Sequence, residues 1–267
     1  MSEHIGGKLL IIGGAEDKEG ECRILRRFVA ESGGAESRIV ILTVAAERPE
    51  EAGEQYEGLF YRLGAKEVTV LNIADRTEAD AVDGSGPWAR CGGVFFTGGD
   101  QLRITGMIGG TLTGRILHGL YEKGVVIAGT SAGASAMSDT MIVGGAAGSP
   151  KKDTLTMAPG LGLLRSVVID QHFAQRGRIG RLLAAVAHNP YVLGVGIDED
   201  TAIMIGQDGC FQVLGSQTVT VADASWARIT NVSETGAGEP LALTPVMTHI
   251  LPASYGFDLK RRTALFP

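Results

Sequence analysis

The chain of 267 residues is long enough to bury a sizeable core as one large domain or two small ones. Hydrophobic residues are 44% and charged residues 20% of it, which excludes a disordered or fibrous chain. The formal net charge of -6 gives no general attraction to nucleic acid or to an anionic membrane surface, so an anionic partner must meet a local cluster of cations.

Short apolar runs recur between helical patterns: "KLLIIGG" at 8–14, "SRIVILTVA" at 37–45, "EVTVLNI" at 67–73, "GGVFFTGGD" at 92–100 and "GVVIAGTSAG" at 124–133. Runs of that length without alternation predict strands covered on both faces, hence a mostly parallel sheet. "ECRILRRFVAES" and "EAGEQYEGLFYRLGA" carry helical period, the second stopping at Gly64. Strand and helix in alternation predict an α/β layered fold. After Gly133, "LGLLRSVVIDQHF" predicts a strand ending at 170–173, "GRIGRLLAAVAHNP" a helix, and "VLGVGIDEDTAIMIG" a strand pair. "DGCFQVLGSQTVTVADAS" predicts antiparallel strands with a turn between them. No linker or repeat interrupts the chain, so the expectation is a single domain over 1–267.

Cys22, Cys91 and Cys210 are odd in number and in no metal-ligand spacing, which predicts reduced, structural thiols. No stretch approaches about 18 consecutive apolar residues, and the apolar run near the start is too brief for a secretory signal. The expected address is the cytoplasm, with neither membrane nor nucleic acid as partner.

The chemistry points to "GTSAG" at 129–133, directly after an apolar strand. A nucleophile elbow places its serine on a strained strand-to-helix turn, and small neighbours are needed because the backbone passes close to itself. The bland alternative is a small-residue turn serving only helix-to-sheet packing. A serine also needs a base and a group to orient that base. Of the five histidines, His4 lies near the terminus, and His118 and His188 fall in helical patterns. His172 ends a strand, where open α/β sheets gather catalytic groups. Asp198, Glu199 and Asp200 end another, and any one of them could orient an imidazole. Spacing alone also leaves open an esterase order, with Ser131, then Asp198, then His249.

Two further stretches belong to the same picture. In "FFTGGDQ" the backbone N–H groups of Gly98, Gly99 and Asp100, with that of Ala132, could face a substrate oxyanion, each donor being worth roughly 3 kcal/mol. In "QHFAQRGRIGRLL" Arg176, Arg178 and Arg181 begin four residues after His172, a pattern suited to binding carboxylates.

From "IIGGAEDK" through "FTGGDQ", "GTSAGASAMS", "DQHFAQRGRIGRL" and "GIDEDTA" to "FDLKRR", these motifs arrive in the order of a known family. Over nearly its whole length the chain resembles the cyanophycinase family, the peptidases that also include the aspartyl dipeptidase peptidase E. The resemblance implies a three-layer α/β sandwich similar to class I glutamine amidotransferases, with the nucleophile elbow after a central strand of a mostly parallel sheet. It implies a serine-type exopeptidase that cleaves cyanophycin, a poly-aspartate bearing arginine on its side chains, to β-Asp-Arg dipeptides. By the same resemblance Ser131 is the nucleophile, His172 its base and Glu199 the orienting acid; Gln101, Asp170, Gln171, Arg176, Arg178 and Arg181 line the substrate pocket, where Asp170 can pair with a substrate guanidinium. No metal or organic cofactor is implied, and a homodimer is. Two rivals stand beside this reading: an aspartyl dipeptidase of the same fold, and a peptide-binding module without catalysis.

Overall fold

A strand buried on both faces sends alternate side chains into two cores. In the computed structural model, which describes residues 6–82 and 84–267, β1 (Leu9–Ile12) directs Leu9 and Ile11 into one apolar cluster and Leu10 and Ile12 into another. β2 (Arg38–Leu42) divides in the same way, with Val40 and Leu42 on one side and Ile39 and Ile41 on the other. Each such side chain contributes about 1.5–3 kcal/mol on burial. β3 (Glu67–Leu71), β4 (Gly93–Phe96) and β5 (Val126–Thr130) complete a parallel block in the order β1-β5-β4-β2-β3.

The connecting helices supply the two cores. α1 (Arg23–Glu31) buries Ile24, Leu25, Phe28 and Val29 along one stripe, and α2 (Pro49–Arg62) adds Tyr56, Leu59 and Phe60 to the same cluster. α3 (Arg76–Ala81), α4 (Gln101–Ile108) and α5 (Leu112–Glu122) pack Ala79, Ile104, Ile108 and Leu117 into the other. Gly64, at φ 94°, closes the turn that ends α2. The α/β layering expected from the sequence is therefore present, with helices on both faces of the parallel strands.

Beyond β5 come α6 (Ala132–Ser135), a hairpin of β6 (Thr140–Gly145) and β7 (Leu155–Pro159), then β8 (Val167–Gln171), α7 (Ile179–His188) and β9 (Leu193–Ile197). β10 (Thr201–Ile205), β11 (Cys210–Gly215), β12 (Thr218–Asp223), β13 (Ile229–Thr230) and β14 (Leu243–Thr244) follow. β15 (Met247–Pro252), β16 (Gly256–Asp258) and β17 (Thr263–Leu265) end the described chain. β10, β11, β16 and β17 extend the large sheet past β1 with antiparallel pairing, to nine strands. β15, β12, β9 and β8 form a separate four-stranded sheet.

The two turn-separated strand pairs expected after residue 190 exist, but neither is a hairpin. β9 bonds β8 and β12, whereas β10 bonds β1 and β11, so the chain steps from one sheet to the other at residues 198–200 and back at 216–217. Alternation along a strand identifies an extended segment and says nothing about which neighbour it bonds.

The elbow sits where β5 meets α6, and its flanking glycines are there for close approach. A Cβ on Gly129 would lie 2.5 Å from the carbonyl carbon of Gly133, and one on Gly133 would lie 2.7 Å from both Cβ and O of Phe96. Gly133→Ala must push α6 off β4 and should destabilise the fold by about 1–3 kcal/mol, measured as a lowered urea midpoint at unchanged slope.

Candidate active site

β5 ends at Thr130, and the backbone reverses into α6 through Ser131 at φ 52° and ψ -108°. Such a conformation costs a non-glycine residue about 1–3 kcal/mol and persists only where the surroundings over-determine it. Ser131 N–H donates to Ile12 O at 3.0 Å, while its own carbonyl accepts from Ala134 and Ser135 at 3.1 Å each. Ala15, His172 and Asp200 also have positive φ, so backbone strain gathers around this turn.

His172 follows β8 and is fixed by its N–H to Gly13 O at 2.8 Å. Its imidazole lies so close to Gly14 that a Cβ there would be 2.4 Å from Cε1. Nε2 is 2.9 Å from Ser131 Oγ and Nδ1 is 2.7 Å from Glu199 Oε1. Burial holds the imidazole below the usual histidine pKa; the bond to Glu199 opposes that shift, and the nearby charge of Arg176 adds to it. A ring that stays neutral near neutral pH can accept a proton from a hydroxyl, and the carboxylate at Nδ1 selects the tautomer that leaves Nε2 free.

The structure separates the three carboxylates that the sequence could not rank. Asp198 accepts from Ala174 N at 3.0 Å and from Thr218 N and Oγ1 at 3.2 and 2.9 Å, tying the step between the sheets. Asp200 accepts from Asp17 N at 2.9 Å. Glu199 alone of the three reaches the imidazole, and Gln175 Oε1, which the sequence did not flag, accepts from Glu199 N at 3.1 Å. An exposed glutamine in a polar turn carries no signal of that role.

The esterase order fails on geometry. His249 lies on β15 opposite Val221, edge-on to Phe257 at 5.1 Å, and the imidazole at Ser131 belongs to His172. His118 and His188 bond the carbonyls of Leu161 and Ala184, and His4 lies outside the described residues.

Of the expected oxyanion donors, Gly98 borders the serine, since a Cβ there would be 3.5 Å from Ser131 Cβ. Gly99, at φ 142°, passes so close to Ala45 that a Cβ would lie 1.9 Å from its carbonyl oxygen. Asp100 has to be corrected: its N–H is committed to Ala45 O at 2.9 Å, and its carboxylate caps α4 through Leu102 N at 2.8 Å. The N–H groups of Gly99 and Ala132 remain as candidates.

The expected substrate pocket also divides. Asp170 has no exposed surface, and Arg181 grips it with Nε to Oδ2 at 2.7 Å and a second contact to Oδ1 at 2.5 Å. Arg178, pulled down to a pKa of about 10 mainly by burial, adds a contact to Asp170 at 3.4 Å and bonds Gln171 through its side-chain oxygen at 2.8 Å and its carbonyl. The expectation that Asp170 meets a substrate guanidinium and that Arg181 meets a substrate carboxylate is corrected by this pairing. A buried carboxylate must be matched by buried donors, and the start of α7 supplies them. Arg176 is different: it is exposed in the turn after His172 and close enough to act on its charge. Gln101 opens α4 and donates to Ile142 O of β6 at 2.9 Å. A cavity of about 670 Å³, lined by Phe173, Ile179, Leu183, Leu243, Val246 and Ile250 among others, lies behind the 173–179 turn and does not contain Ser131.

Among the described residues, no group of three or more His, Cys, Asp or Glu side chains is placed to hold a metal ion. No described helix is long and apolar enough to cross a membrane.

A strand-to-helix serine bonded to an imidazole, which is bonded in turn to a carboxylate, on an α/β sheet, is the arrangement of a serine-type hydrolase. Residues 9–213 match peptidase family S51, and the chain belongs to that family. It is 41% identical to the cyanophycinase of a Nostoc species over 259 residues, covering 96% of this chain and 87% of that protein. To the cyanophycinase of Geminocystis herdmanii it is 39% identical over 265 residues, 98% of this chain and 97% of that one. Among solved structures, a peptidase from an acI-B1 Actinobacterium superposes with a TM-score of 0.64 at 20% identity, over 92% of this chain and 98% of that one. A protein described as a putative peptidase E from Listeria monocytogenes superposes with a TM-score of 0.52 at 16% identity, over 79% of this chain and 98% of that one. At those identities the two structures speak for the fold alone.

Followed by NMR of its ring protons, His172 should titrate below its unperturbed value of about 6.5, and Glu199→Gln should move the midpoint lower still by removing a partner that favours the charged ring. Asp170→Ala leaves the Arg181 charge buried and unpaired, so chemical denaturation should show a loss of about 3 kcal/mol or more; a solvent-facing substrate ligand would show no such loss.

Proposed function

We propose that this chain is a serine-type exopeptidase that degrades cyanophycin and releases β-Asp-Arg dipeptides. The observation that carries the reading is the run of contacts from Ser131 Oγ through the His172 ring to Glu199, with the exposed guanidinium of Arg176 beside it. The cyanophycinases that match nearly the full chain supply the substrate class.

In the proposed reaction Ser131 Oγ attacks the scissile carbonyl while His172 Nε2 takes its proton, and Glu199 stabilises the imidazolium through Nδ1–H. The carbonyl oxygen gains negative charge and is met by the N–H groups of Gly99 and Ala132. His172 then returns the proton to the leaving amine, and the acyl-enzyme is hydrolysed when His172 deprotonates a water. Arg176 is assigned to an aspartyl carboxylate of the substrate. Arg178 and Gln171 form the wall beside it, Gln101 borders the site from α4, and the Asp170–Arg181 pair supports that wall from behind. The proposal includes a single domain, as a chain without linker or repeat predicts, a homodimer, from the resemblance, and a cytoplasmic address, which the free thiols of Cys22, Cys91 and Cys210 favour.

Purified protein incubated with insoluble cyanophycin should release β-Asp-Arg, read by mass spectrometry. Ser131→Ala should lower that release by at least about 10³-fold, Arg176→Ala should act mainly on KM, and His249→Ala should run near the wild-type rate. Release of dipeptide by Ser131→Ala at the wild-type rate would overturn the mechanism. Cleavage of small Asp-X peptides with the polymer left intact would favour the dipeptidase instead.

A further inference from the structure

The "GGAED" stretch after β1 takes no part in the chemistry above, yet it touches the segments that carry all three reacting residues. Gly13 O accepts from His172 N at 2.8 Å. Gly14 O accepts from Asp200 N at 2.9 Å, and Asp17 N donates to Asp200 Oδ1 at 2.9 Å, holding the segment that bears Glu199. Between them lies Glu16, only 4% exposed, whose Oε2 accepts from Thr130 Oγ1 at 2.6 Å. Thr130 is the residue before Ser131.

A buried carboxylate is costly unless its oxygens are matched, and here they are. Glu16 Oε1 receives the Tyr56 hydroxyl from α2 and Lys18 Nζ at 3.1 Å, while Lys18 also lies over the Tyr56 ring at 5.2 Å from its centre. Burial and the neighbouring carboxylate push the Tyr56 hydroxyl well above its usual pKa, so it stays a donor. Tyr56 is in turn packed against Phe95 of β4 at 4.7 Å. The carboxylate is thereby braced from α2 and the large sheet on one side, and grips the residue that precedes the strained turn on the other.

We propose that Glu16 is a positioning residue: through Thr130 Oγ1 it fixes the backbone turn at Ser131 so that Oγ stays in line with His172 Nε2. The proposal rests on the reading of Ser131 as nucleophile. A strained φ and ψ is kept only by constraints on both sides. On the far side of Ser131 these are the bonds of α6; on the near side they are Ile12 O at the Ser131 N–H and Glu16 at the Thr130 side chain. A role confined to satisfying buried Tyr56 would affect stability and leave the reactivity of the folded protein alone.

The test uses the full chain with Glu16→Gln, Thr130→Val, the double variant and Ser131→Ala. Two rates are measured: phosphorylation of Ser131 by diisopropyl fluorophosphate with loss of fluoride, followed by intact mass, and dipeptide release with kcat and KM separated. Thermal unfolding corrects each for the folded fraction. The expected result is a fall of about 10- to 100-fold in both the labelling rate and kcat of each single variant, KM within about twofold of wild type, and a double variant no slower than the slower single. Labelling and kcat at wild-type rates overturn the proposal, as does a loss confined to KM or to the folded fraction. Should Glu16→Gln fail to fold, Thr130→Val decides, because it removes one hydroxyl and keeps the shape. A wild-type protein that is not labelled at Ser131, or a Ser131→Ala variant that turns over normally, brings down the nucleophile reading and this inference with it. A labelled wild type with unaffected variants brings down this inference alone.

Discussion

The step of the chain from the four-stranded to the nine-stranded sheet at Asp198–Asp200 is the constraint on which the site depends. β9 belongs to the four-stranded sheet and β10 to the nine-stranded one, so these three residues must cross from one to the other. Asp198 and Asp200 hold the crossing by bonding backbone N–H groups on either side of it, from Ala174 and Thr218 on one and from Asp17 on the other. With its neighbours so engaged, Glu199 is presented to His172, itself at the end of β8 in the smaller sheet, while Ser131 comes from β5 in the larger. The three side chains share no element, and their distances are those of the junction.

The same junction explains why charge is buried nearby in a protein of modest charge content. Where β8 and α7 meet, Asp170 is sealed between strand and helix with Arg181 and Arg178, and the cluster joins the end of β8 to the beginning of α7 and to Gly145 of the β6–β7 hairpin. Breaking one side of such a pair costs more than the pair contributes, which makes the geometry strongly specified. The turn from His172 to α7 is thereby anchored at both ends, and Arg176, between the anchors, remains exposed next to the imidazole. Two neighbouring arginines of one short motif do scaffold work, and the third faces solvent.

The unbroken apolar runs and the "GTSAG" turn were legible in the sequence because they answer to local rules. A strand covered on both faces has to be apolar throughout, and a backbone that passes within van der Waals contact of itself has to use glycine, as at Gly129 and Gly133. A histidine at the end of a strand was legible as a candidate for the same reason. Those features determined the layered α/β class and where the chemistry should be sought, and the order of the motifs along the chain carried the family resemblance.

The tertiary structure alone decided the rest. Which strands pair across 198–200 and 216–217 is set by partners far away in sequence, so the expected strand pairs became steps between sheets. Whether Asp198, Glu199 or Asp200 meets the imidazole depends on which backbone donors have claimed the other two. Asp170 and Asp100 lost their expected roles because Arg181 and Ala45 reach them first. In each case a polar group's partner is chosen by proximity in three dimensions, under the requirement that buried donors and acceptors be matched, and a one-dimensional pattern of residue types does not contain that choice.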